Sequence, residues 1–196
     1  MASRPIEPSE LLSPRDYEKV RRGVVAEIIK LKTRRRIEIG PWVSIVFENR
    51  RTVLYQIQEM VRIERLTEPL AIRHEIETYA DLIPKPGELS PTFFIEISDP
   101  DQRRDALAGL GGIEKAFALK LGAEAIPAFD KRPIDPQFER PGQATAVYYL
   151  GFRLTPAQRE LFISSKGEAW LTLSHPKYGH AAALSSAQRK ELASDW

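Results

Sequence analysis

The sequence predicts an α+β fold, with helices flanking a mostly antiparallel (mixed) sheet. Three observations carry this. Short runs alternate apolar and polar residues, as half-buried strands do. Other runs repeat apolar residues at spacings of three and four, as helices do. The strand runs come as hairpin neighbours with helices between them, without a βαβ rhythm. At 196 residues, one domain is expected, large enough to bury a core without disulfides or metals. The expected organisation is a flexible N-terminal segment over 1–9 and a single domain over 10–196.

The first helix has a start signal: Ser13 to cap, Pro14 at the first position and Asp16 in the first turn. Tyr17, Val20, Val24, Ile28 and Leu31 form its stripe, and it is expected to end near Thr33. Residues 35–48 read as a hairpin turned by Gly40-Pro41. Asn49 caps a second helix, Arg50 to about Leu66, with a stripe of Val53, Leu54, Ile57, Met60 and Val61. A third helix follows Pro69, facing inward with Ile72, Ile76, Tyr79 and Ile83. Phe93, Ile95 and Ile97 alternate as a strand, and Asp99 opens another helix. Strands are expected near 115–121 and 124–129. Residues 129–142, with three prolines and no period, read as a long loop. Ala146, Tyr148, Leu150, Phe152 and Leu154 share one strand face, while Thr145, Tyr149 and Arg153 point away. Thr155 caps a short helix, Ala169, Leu171 and Leu173 mark a last strand, and Ser185 opens a final helix.

Composition excludes several classes of function. There is no cysteine, so thiol nucleophiles, thiolate zinc sites and cysteine-bound clusters are absent. Neither phosphate-loop nor dinucleotide-binding glycine patterns occur. Three histidines do not match zinc spacing, so no metal and no cofactor is expected. The net charge of +2 conceals an uneven distribution. Residues 1–50 carry eleven basic and seven acidic groups, and residues 51–100 carry five and nine. No secretory leader or membrane-spanning run is seen, so a cytoplasmic location and no membrane partner are expected.

The second helix is the most unusual segment. Glu64 falls seven residues after Ile57 on the apolar side, where an ionised carboxylate needs a partner. Arg50, Arg51 and Arg62 are the local candidates. Such a segment serves either as a structural ion-pair network or as a polar pocket for an anionic ligand or protein partner. Asn49, Arg50, Arg51, Gln56, Arg62 and Tyr178 are the candidate binding residues. Glu59, Glu64, Tyr55 and His175 are the weak catalytic candidates. The basic run Lys30, Lys32, Arg34, Arg35 and Arg36 either complements a helix end or contacts nucleic acid.

The run Phe47-Glu-Asn-Arg-Arg-Thr-Val-Leu-Tyr-Gln-Ile-Gln-Glu-Met-Val-Arg-Ile-Glu-Arg65 resembles the hallmark of a bacterial family, domain of unknown function 3501. Leu82-Ile-Pro84, Phe94-Ile-Glu96, Gly112-Ile-Glu114, Thr145 to Phe152, His175-Pro-Lys-Tyr178 and Arg189 to Trp196 follow the same family pattern in order. The pattern of that family often has a histidine in the strand that here reads Val147-Tyr148-Tyr149, and its absence argues against a metal held through that position. The resemblance implies an accessory role in redox or peroxide metabolism, beside a rubrerythrin-like or iron–sulfur protein.

The leading expectation is a non-catalytic binding or accessory protein with a redox partner. It would bind through the second helix and the 129–142 loop. The alternative is a small enzyme working on an anionic molecule with Glu59 or Glu64, Tyr55 and His175. Nucleic-acid binding through residues 30–36 ranks third, and nucleic acid is not the expected partner. A homo-oligomer is compatible with all three.

Overall fold

Helix starts follow capping chemistry. Ser13, Asn49, Asp99 and Ser185 each accept the backbone N–H three residues on, and so open four helices. The computed structural model describes residues 4–132, 140, 142–164 and 167–196. In chain order come α1 (Pro14–Arg35), β1 (Arg36–Ile39), β2 (Val43–Glu48), α2 (Arg50–Ile63) and α3 (Pro69–Ala80). Then follow β3 (Glu88–Ile95), α4 (Pro100–Gly109), β4 (Phe117–Leu121), β5 (Glu124–Pro127) and β6 (Phe129–Arg132). The chain closes with β7 (Val147–Arg153), α5 (Pro156–Ser164), β8 (Ala169–His175), β9 (Tyr178–Ala183) and α6 (Ser186–Ala193).

The strands form two open sheets, ordered β1-β2-β3-β7-β6 and β5-β4-β8-β9, and every neighbouring pair is antiparallel. The fold is therefore α+β, as the alternating runs require. The inner faces meet in one core. Phe117 of the small sheet packs against Phe93 and Phe152 of the large one, with ring centroids 5.4 and 5.2 Å apart. A second, smaller core lies on the other side of the large sheet. There Val53, Ile57 and Val61 of α2 meet Ile76 of α3 and Leu82.

Four differences from the sequence reading have physical causes. Residues 4–9, expected as a flexible lead-in, are docked: Ile6 is buried in the second core and Arg4 pairs with Glu10. β3 starts at Glu88, before the alternating apolar run. Its outward residues Ser90 and Thr92 lie under helices, so polarity there does not mean solvent. Residues 129–132, read as loop, form β6 on the edge beside β7. The rest of that expected loop, residues 133–139 and 141, lies outside the described residues. β9 reads Tyr-Gly-His-Ala-Ala-Ala and has no alternation, yet its ladder to β8 is complete.

The hairpin turn is held from a distance. Tyr178 Oη accepts the N–H groups of Trp42 and Val43 at 2.9 and 3.1 Å, and donates to the Ile39 carbonyl at 2.7 Å. Gly40, with φ at +75°, passes so close that a Cβ there would sit 2.6 Å from that oxygen. Tyr178 is thus a structural tie, not a binding residue.

Candidate functional site

Most of the polar hallmark from Phe47 to Arg65 is bound internally. Asn49 caps α2 and donates to Asp195 at 3.3 Å. Arg50 grips Glu10 at 2.6 and 2.7 Å and the carbonyls of Arg4 and Pro5. Gln58 bonds the Leu12 backbone in both directions. Each fastens α2 to the N-terminal segment or the chain's last turn.

The buried carboxylate of this helix is Glu59, not Glu64. Glu64 is exposed, because α2 ends at Ile63 and Arg65 takes a φ of +53° that turns the chain away. Extending the stripe past the helix end misplaced it. Glu59 Oε1 accepts from Tyr17 Oη at 2.8 Å and Arg21 Nε at 2.9 Å. Its Oε2 accepts from Arg21 at 3.0 Å and Arg62 at 3.1 Å. Burial alone would raise its pKa, but the bonds from Arg21, Tyr17 and Arg62 outweigh that and hold it at about 2. Burial and the adjacent carboxylate push the Tyr17 phenol up. With four donors on one carboxylate, Glu59 is a clasp between α1 and α2 and stays ionised at neutral pH. A carboxylate held so far below neutrality, with its lone pairs taken by four donors, is poorly suited to acid–base work.

The other catalytic candidates do not converge on it. His175 ends β8, with Nε2 3.3 Å from the Gly111 carbonyl and Nδ1 accepting from the Lys177 N–H. Those partners belong to the small-sheet side of the molecule, whereas Glu59 belongs to the helical layer. Tyr55 lies under Lys32, whose Nζ is 5.8 Å from the ring centroid. Arg51 is exposed beside a groove between α1 and α2.

The basic run is also spoken for. Lys30 pairs with Glu27, Arg34 with Glu191, and Arg36 with Glu38 and Glu96. Arg35 is 1% exposed and serves Asp195, Glu191 and the carbonyls of Phe47 and Glu48. A phosphate backbone would find Arg35 inaccessible and three of its neighbours neutralised. These pairs favour the helix-end reading of the run over the nucleic-acid one.

A cleft of about 220 Å³ lies between the outer face of the large sheet and α1, α2 and α3. Strand alternation supplies its floor. Glu48 of β2, Thr92 and Phe94 of β3, and Val147 and Tyr149 of β7 all point outward. Lys32, Gln56, Tyr79 and Leu82 complete it. Glu48 is buried, and Oε1 accepts the Thr92 hydroxyl at 2.8 Å. No other hydrogen bond to its carboxylate occurs among the described residues. Arg132 of β6 stacks over Tyr79 and Tyr149 at 5.7 and 5.8 Å. Burial and nearby Glu75 raise the Tyr79 phenol, keeping it protonated. Lys32 and Arg132 have ring partners but form no salt bridge among the described residues, although the Arg132 charge reaches Glu75.

Of the residues singled out in the sequence, the cleft takes Gln56 and Lys32. Glu48, Thr92, Tyr79, Tyr149 and Arg132 were missed. An outward-pointing carboxylate at the end of a mostly apolar strand, immediately before a capped helix, was the available signal for Glu48.

Comparison with known proteins carries the same motif-level likeness across the chain. A family model described as "Protein of unknown function (DUF3501)" matches residues 5–196. The crystal structure of a novel protein of unknown function from Burkholderia pseudomallei is similar, with a TM-score of 0.85 and 32% identity. The match covers 98% of this chain and 99% of that one. No curated protein matches. The hallmark that clamps α2 and floors the cleft is thus part of a shared whole-chain pattern, and the chain belongs to the DUF3501 family.

Proposed function

We propose that the protein is a non-catalytic binding protein whose cleft takes a small carboxylate bearing a hydroxyl or amino group. One observation carries this: Lys32 and Arg132, two cations without a salt bridge among the described residues, flank a cleft that contains buried Glu48. An anionic ligand would pair with the cations, and its donor group would answer Glu48. Tyr79, Tyr149 and Phe94 supply the apolar walls that small-molecule sites need. The volume admits on the order of ten non-hydrogen atoms. The lining contains one carboxylate and no histidine, which favours binding over acid–base chemistry.

Titration calorimetry with hydroxy- and amino-carboxylates, against their neutral amides, tests the reading. Carboxylates should bind, and Lys32→Met or Arg132→Met should weaken them about tenfold. Equal binding of acids and amides, or none of either, would refute it. The family resemblance adds a rubrerythrin-like or iron–sulfur protein as the partner that this binding serves. Native co-purification that recovers no redox protein would remove that part alone.

A further inference from the structure

The geometry points to a second ligand site, one that takes a small phosphorylated amine. It has two adjoining parts. The larger is a cleft of about 480 Å³ beside α4, lined by Arg103, Arg104, Leu107 and Arg140. The smaller is a cavity of about 120 Å³ that includes Glu114, Lys115 and Tyr148. Arg140, Gln143 and Thr145 line both. Neither part shares a lining residue with the Glu48 cleft.

The small cavity contains an unmet demand. Glu114 sits in the turn Ile113–Ala116, which leads into β4. Its Oε2 is buried and has no hydrogen-bond partner among the described residues. Leaving such an atom unpaired is costly. The Tyr148 hydroxyl, which accepts the Thr145 N–H at 2.9 Å, interacts with the same carboxyl and lines the same space. Backbone closes one wall, since a Cβ at Gly111 would overlap the Gly142 carbonyl. The cavity has room for about four waters, or for the end of a ligand carrying N–H donors.

The cleft beside it has the opposite character. Arg103 spends one nitrogen on the Ile97 carbonyl at 3.1 Å, and Arg104 pairs with Asp101 and Asp105 in open solvent. Arg103, Lys115 and Arg140 form no salt bridge among the described residues. Cations therefore surround a cleft whose neighbouring cavity ends in a carboxyl. A ligand that satisfies both is anionic at one end and a donor at the other. Guanidinium groups on several sides suit a phosphate, which offers each of them an oxygen. An amine at the other end would answer Glu114 Oε2. Water would also answer that oxygen, but would give no preference for an amine over an alkyl group.

Titration calorimetry of the full chain at low salt tests this, with phosphoethanolamine and 3-aminopropyl phosphate against ethyl and propyl phosphate. The amines should bind about tenfold tighter than their alkyl counterparts. Glu114→Gln should remove that preference while leaving the melting temperature equal or higher, because an unmet buried carboxyl is gone. Arg140→Gln should weaken both series about tenfold. Lys32→Met should change neither, which separates this site from the Glu48 cleft. Equal binding of amines and alkyl phosphates would mean that the cavity holds water only. That result, no binding of either series, a preference that survives Glu114→Gln, or a loss in Lys32→Met would each overturn the proposal.

Discussion

Replacing Glu59 with glutamine keeps its shape and removes its charge. The carboxyl titrates at 4.5 when unperturbed and at about 2 in the fold. That difference corresponds to about 3 kcal/mol of stability at neutral pH. Arg21 and Arg62 are partly in water, so screening reduces the contribution to about 2 kcal/mol. The folded pKa lies below the unfolded one. The stabilisation is therefore fully present above 4.5 and disappears as pH falls from there towards 2. Urea unfolding of wild type and Glu59→Gln across that range reads the effect directly. At pH 7 the midpoint should drop by about 1 M, and the two proteins should converge as the acid limit is approached. A gap that is independent of pH, or smaller than about 0.5 kcal/mol at neutrality, would show that the four bonds to Glu59 do not clasp α1 to α2.

Three further outcomes follow from internal ties. Arg35→Met should cost about 3 kcal/mol in chemical denaturation, because half-buried Asp195 loses its cation and the Phe47 and Glu48 carbonyls lose a donor. Adding Asp195→Asn should recover part of that loss. Tyr178→Phe should cost about 2–3 kcal/mol by the same measurement, since the N–H groups of Trp42 and Val43 lose their acceptor. Gel-shift titration with single- and double-stranded DNA should give no complex at physiological salt, and a salt-dependent complex lost in Lys30→Glu or Arg34→Glu would contradict the assignment of those side chains to internal pairs.

Local grammar made much of the fold legible. Ser13, Asn49, Asp99 and Ser185 announce helices because a cap acts over three residues. The alternation of Tyr148, Leu150 and Phe152 announces β7 because one face of it is core. β9 was hidden because an edge strand held by backbone bonds needs no apolar rhythm. The site was less legible, because its partners are far apart in sequence. Glu59 finds Arg21, 38 residues away, and Arg35 finds Asp195, 160 residues away. Helix periodicity carries no information about either. The same limit hid the cleft: Glu48, Tyr149 and Arg132 come from three strands whose adjacency is set by sheet order alone. Glu64 shows the opposite error, in which a correct period was carried one turn beyond the helix that gives it meaning.

The grip of Arg35 on Asp195 also bears on how fast the molecule forms and how long it lasts. A contact spanning so much chain must wait until both sheets and the last helix have gathered, since closing a loop that long early gains little against its entropy. The tie therefore belongs to the final stage, after the rate-limiting barrier. Weakening it should leave the refolding rate nearly untouched and hasten unfolding. In that sense the buried guanidinium acts as a latch on the finished molecule, governing its lifetime more than its assembly.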